Sequence, residues 1–177
     1  MRKIGSLVLA LWMCAAGVFA ATPKEIDAKV DAALDRFRAE VPGAKDLLAD
    51  AKAVLVIPEV IKGGVFIGGE YGEGSLLIGN RVANYYNVAS ASFGLTFGGE
   101  MKDIFLLFFT EESLKGFRER KGWEAGADGN VAIWKTGDGK MLNASHIKDP
   151  IVGFVVGVKG LLVDASLKGS KFSVMKK

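Results

Sequence analysis

The chain has 177 residues, with 23 basic against 20 acidic side chains, one histidine and one cysteine. That length suits a single domain able to bury its own core. One histidine excludes a multi-histidine metal site, one cysteine excludes an internal disulfide, and a net charge of +3 supplies no global field for nucleic acid.

The first twenty residues stand apart. Arg2 and Lys3 form a basic start, Leu7 to Val18 is mostly apolar, and Val18-Phe19-Ala20 places small residues before Ala21. This is the pattern of a secretory signal peptide, too short to span a membrane, and cleavage is expected after Ala20. Cys14 lies inside it and leaves a second route, a lipoprotein anchored through that cysteine. Arg2 and Lys3 carry two of the three net positive charges, so residues 21–177 are nearly neutral. Attraction to an anionic surface must then come from a local patch.

Thr22-Pro23-Lys24-Glu25 reads as a capping box with proline at the first helical position. Ile26, Val30, Ala33, Leu34, Phe37 and Val41 recur at helical spacing until Pro42-Gly43. The polar face mixes both signs of charge, which suits packing on a sheet better than lying on a membrane. A short helix over 44–52 leads into Ala53-Val54-Leu55-Val56-Ile57, a buried strand ended by Pro58.

Lys62 to Asn80 then holds seven glycines and two apolar runs, Val65-Phe66-Ile67 and Leu76-Leu77-Ile78. The pattern predicts a hairpin turning in Tyr71-Gly72-Glu73-Gly74, within a strongly curved sheet. Arg81 to Val88 reads as a loop or irregular strand whose Tyr85 and Tyr86 suit a rim. From Ala89 to Glu100 the chain alternates, with Phe93, Leu95 and Phe97 on one face. Ile104 to Phe109 is apolar on both faces and predicts a central strand. Thr110 caps a third helix that Gly122 ends. Strands are expected at 130–135, 141–146, 151–158, 161–167 and 171–175. The sum is one α+β domain: a curved, mainly antiparallel sheet or small barrel with about three helices.

Catalytic motifs are weak. Ser90 or Ser92 could be combined on paper with His146 and Asp149, but no nucleophile-elbow sequence supports a triad. The glycines form no phosphate loop. Gly153 and Gly157 match a membrane-helix dimer motif without the long apolar helix it requires. Asn143-Ala144-Ser145 is a formal glycosylation sequon, and Glu70 with Glu73 would be solvated carboxylates. An enzyme is not expected.

The run Val54 to Pro58, then Gly63-Gly64 through Gly68-Gly69-Glu70-Tyr71-Gly72-Glu73-Gly74, resembles the opening of the SYLF domain, also called the Ysc84 actin-binding domain. Ser92-Phe93-Gly94, Asp103 through Glu112, Ala125-Gly126-Ala127-Asp128, and Lys159-Gly160-Leu161 leading to Ser166 through Ser170 follow in family order. The resemblance covers nearly all of the chain from about Leu48. It departs at Ala83-Asn84-Tyr85-Tyr86-Asn87, where relatives carry a Gly-Tyr-Trp-Ser-type motif, and at Trp134-Lys135-Thr136, which replaces a Gly-Pro segment. It implies phospholipid binding, with actin binding in fungal members, a property not carried over here. For exported bacterial members it implies a lipid-associated envelope protein.

The expectation is thus a signal peptide at 1–20 and a non-catalytic lipid-binding domain at 21–177, periplasmic or secreted. It needs no cofactor, and its partner is an anionic phospholipid or membrane surface. The competing class is a small outer-membrane β-barrel or structural envelope protein. Candidate lipid contacts are Lys62 and Arg81 at the two hairpin ends, expected to converge on one phosphate. Tyr85 and Tyr86 would flank them, and Lys168 and Lys171 would stand beside the C-terminal turn.

Overall fold

A computed structural model describes residues 20–63, 67–93, 100–134, 147–157, 160–161 and 166–177. Most of the signal segment with Cys14, the arm residues Val65 and Phe66, the alternating residues 94–99, the expected strand at 141–146 and His146 lie outside the described residues.

Helix α1 (Pro23–Glu40) begins as the sequence predicts. The Thr22 hydroxyl accepts from the Glu25 N–H, and the Glu25 carboxylate accepts from the Thr22 N–H at 2.7 Å. Its buried residues are Ile26, Val30, Ala33, Leu34 and Phe37, one stripe on one face. Helix α2 (Ala44–Asp50) follows Gly43, whose φ of 76° only glycine adopts without strain. Helix α3 (Glu111–Arg118) is capped by Thr110, with Glu111 and Glu112 at its positive end. It stops before Arg120 and Lys121.

The strands are β1 (Ala53–Gly63), β2 (Ile67–Ile78), β3 (Arg81–Phe93), β4 (Glu100–Phe108), β5 (Gly122–Glu124), β6 (Ala132–Ile133), β7 (Ile151–Gly157), β8 (Gly160–Leu161) and β9 (Lys171–Met175). Eight lie in the order β5-β9-β3-β2-β1-β4-β7-β6, with β8 pairing β7 beside β6. Every pairing is antiparallel except that of β6 with β7. Strand β6 is shorter than the expected 130–135, and of the expected 161–167 the residues 162–165 lie outside the described residues.

Chain length alone shows that the sheet is rolled. Strands β5 and β6 end the eight-strand path, yet only residues 125–131 join them. That link reaches at most about 28 Å, whereas eight strands laid flat span about 34 Å. The sheet therefore curls into a half-barrel, the α+β single domain expected.

Both faces are packed. Leu55, Ile57, Leu76, Tyr86, Ile104, Leu106, Phe108, Val155 and Phe172 face an inner core completed by Phe117 of α3 and Trp123. Val54, Val56, Phe105, Leu107, Val152, Phe154 and Val156 face outward onto α1 and α2. Phe37 is the keystone there, with its ring centroid 4.6 Å from that of Phe105 and 5.1 Å from that of Phe154. This is why β4 and β7 are apolar on both faces.

Two expectations need correction. Tyr71-Gly72-Glu73-Gly74 is no turn, because β2 runs straight through it. The turn is Gly79-Asn80, with φ of 56° and 63°, the positive pair of a two-residue type I′ loop. Gly72 and Gly74 instead face a β-bulge in β1, where Glu59 takes φ 51° and the register slips beside Pro58. A Cβ on Gly74 would overlap the Val56 carbonyl oxygen, and one on Gly72 would lie 2.8 Å from Val60 Cγ2. Glycine is needed there for close approach. Second, of the two readings for Arg81 to Val88 the loop falls and the irregular strand stands: it is the first part of β3, with a register slip at Ala83 between the pairs Val82–Leu77 and Asn84–Leu76.

Candidate functional site

The bulge resets the parity of β1. Ala53, Leu55, Ile57 and Ile61 would share one face of a regular strand, but Val60 takes the inner position and Ile61 turns outward. Ile61 is paired with Tyr71 on one side and Met101 on the other. Tyr71 is paired with Ala89, and Ala89 with Lys171. One outward row thus crosses five adjacent strands: Lys171, Ala89, Tyr71, Ile61, Met101. Ile61 is 56 % exposed, Met101 46 % and Tyr71 42 %, the three most exposed large apolar side chains among the described residues. The row lies beyond the cover of α1.

The helix edge facing this row is pinned by charge. Arg36 donates twice to Asp103, at 2.7 and 3.0 Å, and Asp103 also accepts from the Glu59 N–H at 2.9 Å. Asp103 is buried, so the bidentate pair and the bulge amide together satisfy it. Those hydrogen bonds push the Arg36 guanidinium pKa further up. Lys29 meets Glu59 at 2.7 Å. The bulge that frees Ile61 is therefore tied to α1 by two ion pairs.

Glu70 and Glu73 are not solvated, contrary to expectation. Glu70 lies on the inner face, 2.8 Å from Lys102, and both side chains are about nine-tenths buried. Glu73, on the outer face, accepts from the Tyr71 hydroxyl at 3.0 Å and the Ala21 N–H at 2.9 Å. Burial first, then the Glu73 bond, raises the Tyr71 pKa.

The candidate cations do not converge. Lys62 pairs across from Glu70 near one end of β2, whereas Arg81 pairs with Ile78 at the other end. Eight residues of strand separate these partners, about 26 Å. Tyr85 and Tyr86 cannot share a rim, because neighbouring strand residues face opposite ways. Tyr85 faces α1, its hydroxyl 3.1 Å from Asp27 Oδ1, while Tyr86 is fully buried with its ring centroid 5.0 Å from that of Phe117. Lys168 sits exposed in the turn after Leu167, its stem beside Gly126. Lys171 is exposed with its stem over Gly122, and it alone of the four cations joins the apolar row. Ile61, Tyr71 and Met101 were missed. Pro58 inside an apolar strand was the available signal, since a proline there demands a bulge.

Two glycine-containing segments brace the end of the roll. Ala125 and the turn before β9 exchange backbone bonds, Ala125 N–H to Ser170 at 3.0 Å and Gly169 N–H to Ala125 at 2.9 Å. Asp128 accepts from the Glu124 N–H at 2.8 Å and meets Arg120 at 3.0 Å. Gly126 and Gly169 both have positive φ, 92° and 83°. The arrangement is structural, and it binds distant parts of the sequence into one unit.

Residues 89–177 match the family model Ysc84, described as Las17-binding protein actin regulator. The match starts within β3 and takes in α3 and every later strand, so the braced segments and Met101 and Lys171 of the row fall inside it. No curated protein matches the chain.

Proposed function

The chain belongs to the Ysc84 family, and from that premise we propose that it is an exported, non-catalytic module that binds anionic phospholipid at a membrane surface. The observation that carries this reading is the outward row of Tyr71, Ile61 and Met101 with Lys171 at its end. Apolar side chains entering the headgroup region, an amphipathic tyrosine and a cation in line with them are what an interfacial contact requires. The near-neutral charge of residues 21–177 agrees with a local contact, not a general field. Export rests on the basic start, the apolar run and Val18-Phe19-Ala20.

A transmembrane barrel fits less well. Its outer face must meet lipid, whereas much of this sheet's outer face is covered by α1 and α2. The buried carboxylates Glu70 and Asp103 are held by Lys102 and Arg36, which suits a structural role for these two groups.

Sedimentation with phosphatidylglycerol vesicles tests the proposal. Each apolar side chain withdrawn from the interface should cost about 1 kcal/mol, so Ile61→Ser with Met101→Ser should weaken binding about 30-fold. Lys171→Ala should weaken it about 5-fold at low salt and less at high salt. Undiminished binding by the folded double variant would overturn the assignment of this face.

A further inference from the structure

We infer that Glu73 is the receptor for the α-ammonium group created when the chain is cut between Ala20 and Ala21. The inference rests on the export reading above and goes beyond it, because it gives the new terminus a place in the fold.

Ala21 N lies 2.9 Å from Glu73 Oε2. The uncut chain can place only a neutral peptide N–H there, giving one hydrogen bond. Hydrolysis breaks the Ala20–Ala21 C–N bond. The oxygen of water goes to the Ala20 carboxylate, and the Ala21 nitrogen takes up protons to become an ammonium. With an ordinary pKa of about 7.7–8.0, that group is mostly charged at neutral pH.

Glu73 is suited to receive it. Its side chain is only 10 % exposed, and its cationic partner Lys177 stands 3.8 Å away, near the limit of an ion pair. The Tyr71 hydroxyl holds its other oxygen at 3.0 Å. A carboxylate this deeply buried gains from a close counter-charge. The Lys177 ammonium turns instead to the Ala21 carbonyl, donating to it at 2.5 Å. Both ends of the Ala21 main chain are thus gripped, from the middle of β2 and from the last residue.

The grip is gauged to one residue. A chain starting at Thr22 would offer its terminus to Glu25, which already accepts from the Thr22 N–H at 2.7 Å. A chain starting at Ala20 would leave a neutral peptide against Glu73. Val18-Phe19-Ala20 marks the same bond for cleavage. Sequence and fold therefore select one terminus by independent means.

The test is a cycle of four proteins: the chain starting at Ala21, the same chain with Gly-Ser before Ala21, and Glu73→Gln in each. A charge-assisted bond of this kind is worth about 2 kcal/mol, or about 4–8 °C in Tm at this size. Glu73→Gln should cost that much in the Ala21-started protein and less than about 2 °C in the extended one. Equal losses would overturn the inference. If the glutamine variants fail to fold, the two parent proteins decide it: the extended one must melt lower, and equal Tm values would overturn the inference. N-terminal sequencing and mass analysis of the exported protein should find a start at Ala21. A diacylated start at Cys14, or any other start, would overturn the processing half. Vesicle sedimentation of the Ala21-started protein is scored separately, so coupling without lipid binding sustains the Glu73 receptor and overturns only the lipid reading.

Discussion

The outer face of the sheet holds two regions built from the same strands and treated in opposite ways. Where α1 lies, β1 and β4 present Val54, Val56, Phe105 and Leu107, and Phe37 closes over them. A few residues further along, β1 and β4 present Ile61 and Met101 to solvent beside Tyr71. Apolar side chains alone therefore do not decide what is core. The helix decides, and the bulge at Pro58-Glu59 marks the border. Glu59 and Asp103 are fastened to Lys29 and Arg36 at that line, so the uncovered region is a stationary surface with an edge.

Breaking the covered region should have the largest effect. Phe37→Ala removes a fully buried ring from between Phe105 and Phe154 and should cost about 4 kcal/mol in denaturant unfolding. Gly74→Ala attacks the border, since its methyl would strike the Val56 carbonyl. A loss of about 3 kcal/mol is expected, because backbone must move. Asp103→Ala unties the border from α1, leaving the Glu59 amide and Arg36 without their acceptor, and should cost about 2 kcal/mol. The uncovered row should behave differently. Ile61→Ser with Met101→Ser should change stability by less than about 0.5 kcal/mol per residue while vesicle binding falls. Equal stability losses in both regions would erase the distinction.

The smallest effect is spectroscopic. All three tyrosines have pKa values raised, Tyr71, Tyr85 and Tyr86 each chiefly by burial, with Glu73 and Asp27 adding to the first two. At pH 10 the folded protein should show well under half of its tyrosinate absorbance, and the denatured chain about half. A raised folded pKa stabilises the protonated ring in the native state. That contribution is present below about pH 10 and is lost as pH rises through the folded values. Asp27→Asn should return part of the Tyr85 shift and leave the other two unchanged.

What the sequence made legible was local. Thr22 and Glu25 announced a cap because both partners lie within one helical turn. Ile104 to Phe108 and Ile151 to Val156 announced doubly covered strands because an unbroken apolar run needs cover on both faces of a sheet. The glycines were ambiguous, since one residue type serves both positive φ and close approach. Gly79 does the first and Gly74 the second, and only the partner strand separates them. The row was hidden for a related reason, because one positive φ at Glu59 reverses the face of every residue after it. The separation of Lys62 from Arg81 was hidden too, because it depends on where β2 turns.

The short link from β5 to β6 has a consequence for crowding. Rolling the sheet brings its two borders toward each other, and those borders are strands of three and two residues. On the β7 side the margin is shared, β6 occupying Val152 and Gly153 and β8 occupying Val156 and Gly157. Among the described residues, a second copy seeking to extend the ladder at β5 or β6 would find only two or three main-chain groups. Amyloid-like stacking needs longer, flatter margins than that. On these described margins a sheet rich in valine and phenylalanine offers a neighbouring copy little ladder to extend.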